Sequence, residues 1–331
     1  VLKIRRLAAL SVALTTAVTL AACGGAEEPP PAEGGQAQGA FPVTLRNAFG
    51  ETRIPAKPQR VVTLGINDYA VATALGANVV GSVKYYYPDV PMAPYVPAPA
   101  PEVLGLDSNG ISLEKVAEYD PDLILATSGI QLDKSMYDKL TGIAPTVAFE
   151  KELYGSTMEA DALTIGRALG EQAKAQELIN AAGAAVARFK AELPRIAGRS
   201  YLFGQARGPV LPMVVGKDNL STKFMTSLGM KVPDAFANAP ANADLAPGTI
   251  GLSYERVEEL DAADVLFMTF AGPGDQQTFE SNELVRRLDL MRAGRYQATS
   301  IHTAVMLQAP NVVGVQWLLD QLRPTLQKIG A

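Results

Sequence analysis

The sequence predicts an α/β protein of two Rossmann-like lobes with mostly parallel sheets, joined by a single long backbone helix, with a cleft between the lobes. Three observations predict it. Short apolar β-rich runs alternate with helical patterns, and the alternation occurs twice. Between the two rounds lies one long stretch of strong helix formers, residues 157–193. A phrase is also written twice, "ISLEKVAEYDPDLILA" from Ile111 and "LSYERVEELDAADVLFM" from Leu252, with Ser112 and Ser253 141 residues apart.

The chain opens on "VLKIRRLAALSVALTTAVTLAAC". Basic residues, an apolar stretch and small residues in that order predict a signal peptide over 1–22. The uncharged run from Leu7 to Ala22 is short for a bilayer span, which takes about 20 residues. Leu20-Ala21-Ala22-Cys23 is similar to a bacterial lipobox, so Cys23 is the expected lipidation site, holding the protein to the membrane. Cys23 is the sole cysteine, which rules out an intrachain disulfide. The Gly/Pro/Ala/Glu-rich residues 23–41 read as a flexible tether. Without residues 1–22 the chain keeps 26 basic against 34 acidic residues, a net charge of −8. That argues against nucleic acid as a partner. The remaining length is more than one core usually serves. The expected domains are an N-terminal lobe 42–168, a connecting helix 169–194 and a C-terminal lobe 195–331.

"VTLRNAFGETRIP" alternates as a hairpin, turning at Asn47 to Gly50. "RVVTLG" (60–65), "VVGSVK" (79–84), "DLILAT" (122–127) and "PTVAFE" (145–150) read as buried strands, with helices at 68–75, 113–119 and 135–140 between them. Gly170 divides 157–193 into two helices, the second about 35 Å long at ~1.5 Å per residue and ended by Pro194. The alternation resumes with strands expected at "SYLFGQ" (200–205), "PMVVGK" (212–217), "DVLFMTF" (264–270) and "HTAVML" (302–307). Helices are expected near 221–228, 254–260, 282–288 and 312–326.

In the doubled phrase, Ser112 and Ser253 stand where helix N-caps would be. Glu114 and Glu255 fall in the first turn, where a carboxylate meets unpaired N–H groups and the helix dipole. Capping alone accounts for each residue separately, but not for their reuse in both halves. The mature chain resembles the substrate-binding lipoproteins of ABC importers for ferric siderophores, haem and cobalamin. The resemblance rests on "GETRIPAKPQRVVTLG", "ISLEKVAEYDPDLILA", the 157–193 helices and "LSYERVEELDAADVLF", in that order behind the lipobox. It implies that Glu114 and Glu255 each meet arginines on one subunit of a permease dimer. It also implies a monomeric binding protein outside the cytoplasm, with no cofactor and no catalytic residues.

Ligands of open α/β sheets sit beyond the carboxyl ends of the strands. The loops there supply the candidate ligand-binding residues: Asn67, Tyr85, Tyr87, Ser128 and Gln131 in the first half, and Arg207, Met213, Lys217, Phe270 and Thr303 in the second. Three consecutive tyrosines in "KYYYP" cannot all face one core. A Tyr face suits a bulky organic ligand, and Tyr85 matches a ligand-contact position of the resembling family. Arg207 suits carboxylate or catecholate oxygens, although a solvated loop position would explain it equally. Lys84 offers a weaker form of the same chemistry, and Asp68 either caps the following helix or meets the ligand.

Hydroxamate binders of the resembling family carry an Arg before the first phrase and an aromatic residue after the third strand. This chain has Asp107, Ser108, Asn109 and Ile130 in those places, so the motifs leave the ligand class open. A ferric siderophore leads, and haem or cobalamin is the alternative, with a Tyr or His302 as axial ligand for haem. A secreted α/β hydrolase is the third class, but no GxSxG, HExxH or P-loop is present. A single histidine does not supply the several His and carboxylate ligands that a bare Mn or Zn site needs.

Overall fold

The computed structural model describes residues 41–83, 92–96, 111–129, 131–240, 242, 244–272 and 274–329. The expectations for Cys23, the signal peptide, the tether, Tyr85, Tyr87, Lys84 and Ile130 fall outside these residues.

The chain begins with a hairpin, β1 (Val43–Asn47) and β2 (Gly50–Ile54), paired antiparallel from Val43↔Ile54 to Asn47↔Gly50. Its alternating burial puts Val43, Leu45 and Ile54 into the core. The first α/β round follows as β3 (Val61–Thr63), α1 (Ile66–Ala74), β4 (Val79–Ser82), α2 (Leu113–Glu118), β5 (Leu123–Ala126), α3 (Lys134–Thr141) and β6 (Thr146–Ala148). These strands form a wholly parallel sheet in the order β4-β3-β5-β6. β3, β5 and β6 are buried on both faces, as continuous apolar runs in a helix-covered sheet should be.

Two helices leave this sheet. α4 (Met158–Leu169) ends at Gly170, which adopts φ 69°, a left-handed C-cap that glycine takes without strain. Glu171 N then donates to Gly166 O at 2.8 Å, closing the turn. α5 (Gln172–Glu192) is the long connector, 21 residues or about 32 Å. It stops before Pro194, where a 3-10 turn, Pro194–Ile196, leads into the second half. Small residues make the seams: a Cβ on Gly166 would lie 2.5 Å from that of Ala175.

The second half runs β7 (Tyr201–Ala206), β8 (Val210–Val214), α6 (Leu220–Ser227), α7 (Asp234–Ala237), β9 (Thr249–Ser253), a 3-10 stretch (Tyr254–Ala262), β10 (Val265–Phe270), α8 (Asp275–Ser281), α9 (Glu283–Arg287), α10 (Asp289–Arg292), β11 (Tyr296–Ala298), α11 (Ile301–Gln308) and α12 (Val315–Ile329). Its sheet has the order β11-β10-β7-β8-β9. β10 is parallel to β7 and β11, whereas β8 is antiparallel to both its neighbours. α12 lies along α5, with Arg323 over the Phe189 ring at 4.9 Å and paired to Glu192 at 2.6 Å.

The fold corrects one expected strand. "HTAVML" belongs to helix α11. Ser300 Oγ accepts from Thr303 N at 3.2 Å as its N-cap, and the buried positions 303, 304, 306 and 307 follow a helical stripe. A short apolar run carries too little periodicity to separate strand from helix. The strand at this place is β11, a few residues earlier. The doubled phrase also sits in two different settings. Ser112 caps α2, accepting from Lys115 N at 3.4 Å, whereas Ser253 ends β9 and makes no capping bond.

Candidate functional site

The strand ends of both sheets open onto one cavity of about 350 Å³. From the first half it is lined by Leu64 to Asn67 after β3, Val83 after β4, Ser128 after β5 and Tyr154 after β6. The second half contributes Phe203 to Gln205 and Arg207 from β7, Pro212 and Val214 from β8, and Thr269 from β10. One face of α11 and the segment from Asp244 to Thr249 close it. This is the crevice expected of open α/β sheets.

Its floor is built on buried hydrogen bonds. Asp68, third residue of α1, is fully buried and faces the loop after β5. It accepts from Thr127 N at 3.0 Å, Thr127 Oγ1 at 2.5 Å, Ser128 N at 3.2 Å and Ser128 Oγ at 3.0 Å. Burial raises its carboxyl to about 6 against the pull of these four bonds. Asp68 therefore holds the wall residue Ser128 and does not cap its own helix. Gly65 is required here, because a Cβ would lie 2.1 Å from Ser128 Oγ. Asn67 ties the halves together: its Nδ2 donates to Ala309 O at 2.8 Å, and its Oδ1 accepts from Asn311 Nδ2 at 2.9 Å.

Tyr154 is a wall residue that the sequence reading missed. It takes φ 63°, its carbonyl accepts from Leu220 N at 2.6 Å, and burial pushes its phenol up to about 12. The neighbouring carbonyls of Gly155 and Ser156 accept from Lys223 Nζ at 2.6 and 3.2 Å. A Tyr-Gly pair after the last strand of a lobe was the available signal.

Of the described candidates, Asn67, Ser128 and Arg207 meet on the cavity wall. Arg207 stands exposed at the β7–β8 hairpin, its backbone paired with Val210, and no carboxylate among the described residues pairs with it. The others lie elsewhere. Met213 is buried with its sulfur over Gly204, because alternation along β8 turns Pro212 and Val214 to the cavity instead. Phe270 packs on Phe279, and its neighbour Thr269 faces the cavity. Thr303 is 1 % exposed and bonds to Ser300 within α11, whose wall residues are Ile301, Ala304, Val305 and Gln308. Gln131, in the left-handed region at φ 61°, and Lys217 are exposed off the wall, and His302 is off it too. Glu114 and Glu255 are exposed at the starts of their helices, away from the cavity. Among the described residues no cluster of His, Cys, Asp and Glu could hold a metal ion.

Two α/β lobes bridged by one helix, with a cavity where their strand ends meet, define a solute-binding protein. The chain belongs to the periplasmic binding protein family, whose model matches residues 63–297. It is 26% identical over 299 residues to the iron(3+)-hydroxamate-binding protein FhuD of Bacillus subtilis, covering 88% of this chain and 89% of that one. The probable siderophore-binding lipoprotein YfiY of the same organism is 24% identical over 335 residues, covering 96% and 97%. Among solved structures, a periplasmic solute binding protein from Mycobacterium smegmatis superposes with a TM-score of 0.73 at 29% identity, over 87% of this chain and 99% of that one. Streptococcus pneumoniae TIGR4 PiaA in complex with ferrichrome shares the fold at 0.70 and 21% identity, over 86% and 98%.

Proposed function

We propose that this protein captures a ferric siderophore in the cleft between its lobes and delivers it to an ABC importer. The observation that carries the reading is the cavity itself: apolar walls from both sheets, a few uncharged polar groups, and one guanidinium and one carboxylate, Arg207 and Asp244. That is the lining a bulky organic chelate needs. Relatives named as an iron(3+)-hydroxamate-binding protein and a probable siderophore-binding lipoprotein support the same assignment. The protein acts as a monomeric carrier, not a catalyst. Glu114 and Glu255 dock on the two permease subunits, where charge pairs set orientation and on-rate. Cys23 carries the lipid that holds the protein to the outer face of the cell membrane. Tyr85 and Tyr87 complete the cleft with Arg207 opposite.

Native mass spectrometry of the purified protein with a panel of apo and iron-loaded siderophores tests the reading. One ferric chelate should be retained at one-to-one stoichiometry and should quench intrinsic fluorescence. Retention of haem alone, with its own absorption band, would replace the siderophore assignment. For the anchor, Cys23→Ser should release the protein or leave it unprocessed; a Ser variant at mature mass in the membrane fraction would overturn it.

A further inference from the structure

We propose that the cleft selects uncharged ferric chelates, of the tris-hydroxamate class, and discriminates against trianionic tris-catecholates. The inference rests on the siderophore reading above and adds the charge of the ligand to it. Three hydroxamates carry one negative charge each and cancel those of Fe(III). Three catecholates carry two each and leave the complex a trianion.

The charges on the described wall are two, Arg207 and Asp244, and they cancel. Lys217 lies off the wall, and Lys223 is committed to the carbonyls of Gly155 and Ser156. On the described wall a trianion would meet one guanidinium, set against the Asp244 carboxylate, and would leave charge unpaired beside apolar walls, where desolvation is not repaid. The whole chain, at a formal −5, repels it during encounter as well.

What the wall does offer is uncharged polarity. Gln308 Nε2 and Thr249 Oγ1 are buried wall atoms that meet no hydrogen-bond partner among the described residues. An amide and a hydroxyl left open at a cavity wall match the carbonyl and N–O oxygens of a neutral hydroxamate chelate. The residues of the resembling family's hydroxamate motif are not needed for this match. It follows from the charge balance of the cavity.

The test is fluorescence titration of the full-length protein, detergent-solubilised or expressed without its lipid, with ferrichrome and with ferric enterobactin at low and high salt. Ferrichrome should bind at least about a hundredfold more tightly, with a dissociation constant that salt leaves unchanged. Asp244→Lys, on an exposed segment of the wall, should tighten ferric enterobactin about tenfold relative to ferrichrome, separating charge from shape. If wild type binds ferric enterobactin as tightly as ferrichrome, or Asp244→Lys moves both equally, the charge inference is wrong while the siderophore reading stands. If neither these nor any other ferric chelate is retained in native mass spectrometry, the siderophore reading itself fails.

Discussion

Asp161 stands in the first turn of α4, close behind the cavity floor. Burial raises its carboxyl to about 7; a hydrogen bond from Ser156 opposes this, and the nearby Asp68 and Glu150 add to it. Both it and Asp68, at about 6, bind a proton more tightly in the native than in the unfolded state. Stability contributed this way is greatest below the unfolded value near 3.8 and is lost as pH rises through the folded value near 7. At ~1.4 kcal/mol per unit the loss is of the order of a few kcal/mol. Asp161→Asn should therefore raise the thermal midpoint more at pH 8 than at pH 5, and an unchanged pH slope would refute this. Removing the Arg207 guanidinium takes away charge but little packing, because the side chain is exposed. Arg207→Ala should weaken an anionic chelate about tenfold or more, leave a neutral one nearly unchanged and not alter the melting temperature. Equal losses for both ligands would show that Arg207 acts through shape.

Most elements were legible because they obey one period over enough residues. α4 and α5, with Gly170 between them, needed only helix formers, a left-handed break and Pro194. α11 was misread because eight residues with Thr303, Val305 and Met306 satisfy a strand pattern as well as a helical one. Strand β9 and the short β11 went unseen. β9 contains Gly251, and β11, YQA, has no apolar alternation. The cleft was legible in part for the same reason. Loops after well-read strands yielded Asn67, Ser128 and Arg207, whereas Met213 and Phe270 each fell one residue from a wall position. A one-residue step along a strand reverses the face, and the sequence does not print which face is the cavity. The α4–α5 seam offers a direct test. Gly166→Ala would put its Cβ 2.5 Å from that of Ala175. Overpacking of this kind costs about 1–3 kcal/mol, which should offset the helix propensity gained and lower the urea midpoint. A more stable variant would mean that the seam can open without cost.

At the scale of the whole molecule, two exposed carboxylates, one in each half, stand outside the cavity. Replacing both Glu114 and Glu255 with Ala should leave ligand affinity nearly unchanged and cut uptake severely in cells lacking other binders. Undiminished uptake would place the docking surface elsewhere. Neither substitution should alter folding, because neither side chain is buried. The order of the strands carries a further consequence. Every strand of the parallel sheet precedes α5, and every strand of the five-stranded sheet follows it. The polypeptide thus passes between the two sheets once, and α12 returns to lie on the connector. A cut in the turn around Gly198 would leave two pieces, each with an intact sheet, sharing the α5–α12 seam, the Asn67–Asn311 tie and the Tyr154–Leu220 bond. Such a chain is suited to division into complementing fragments whose reassembly a bound chelate, touching both, would strengthen. That makes the single crossing a ready basis for a split reporter of iron chelates.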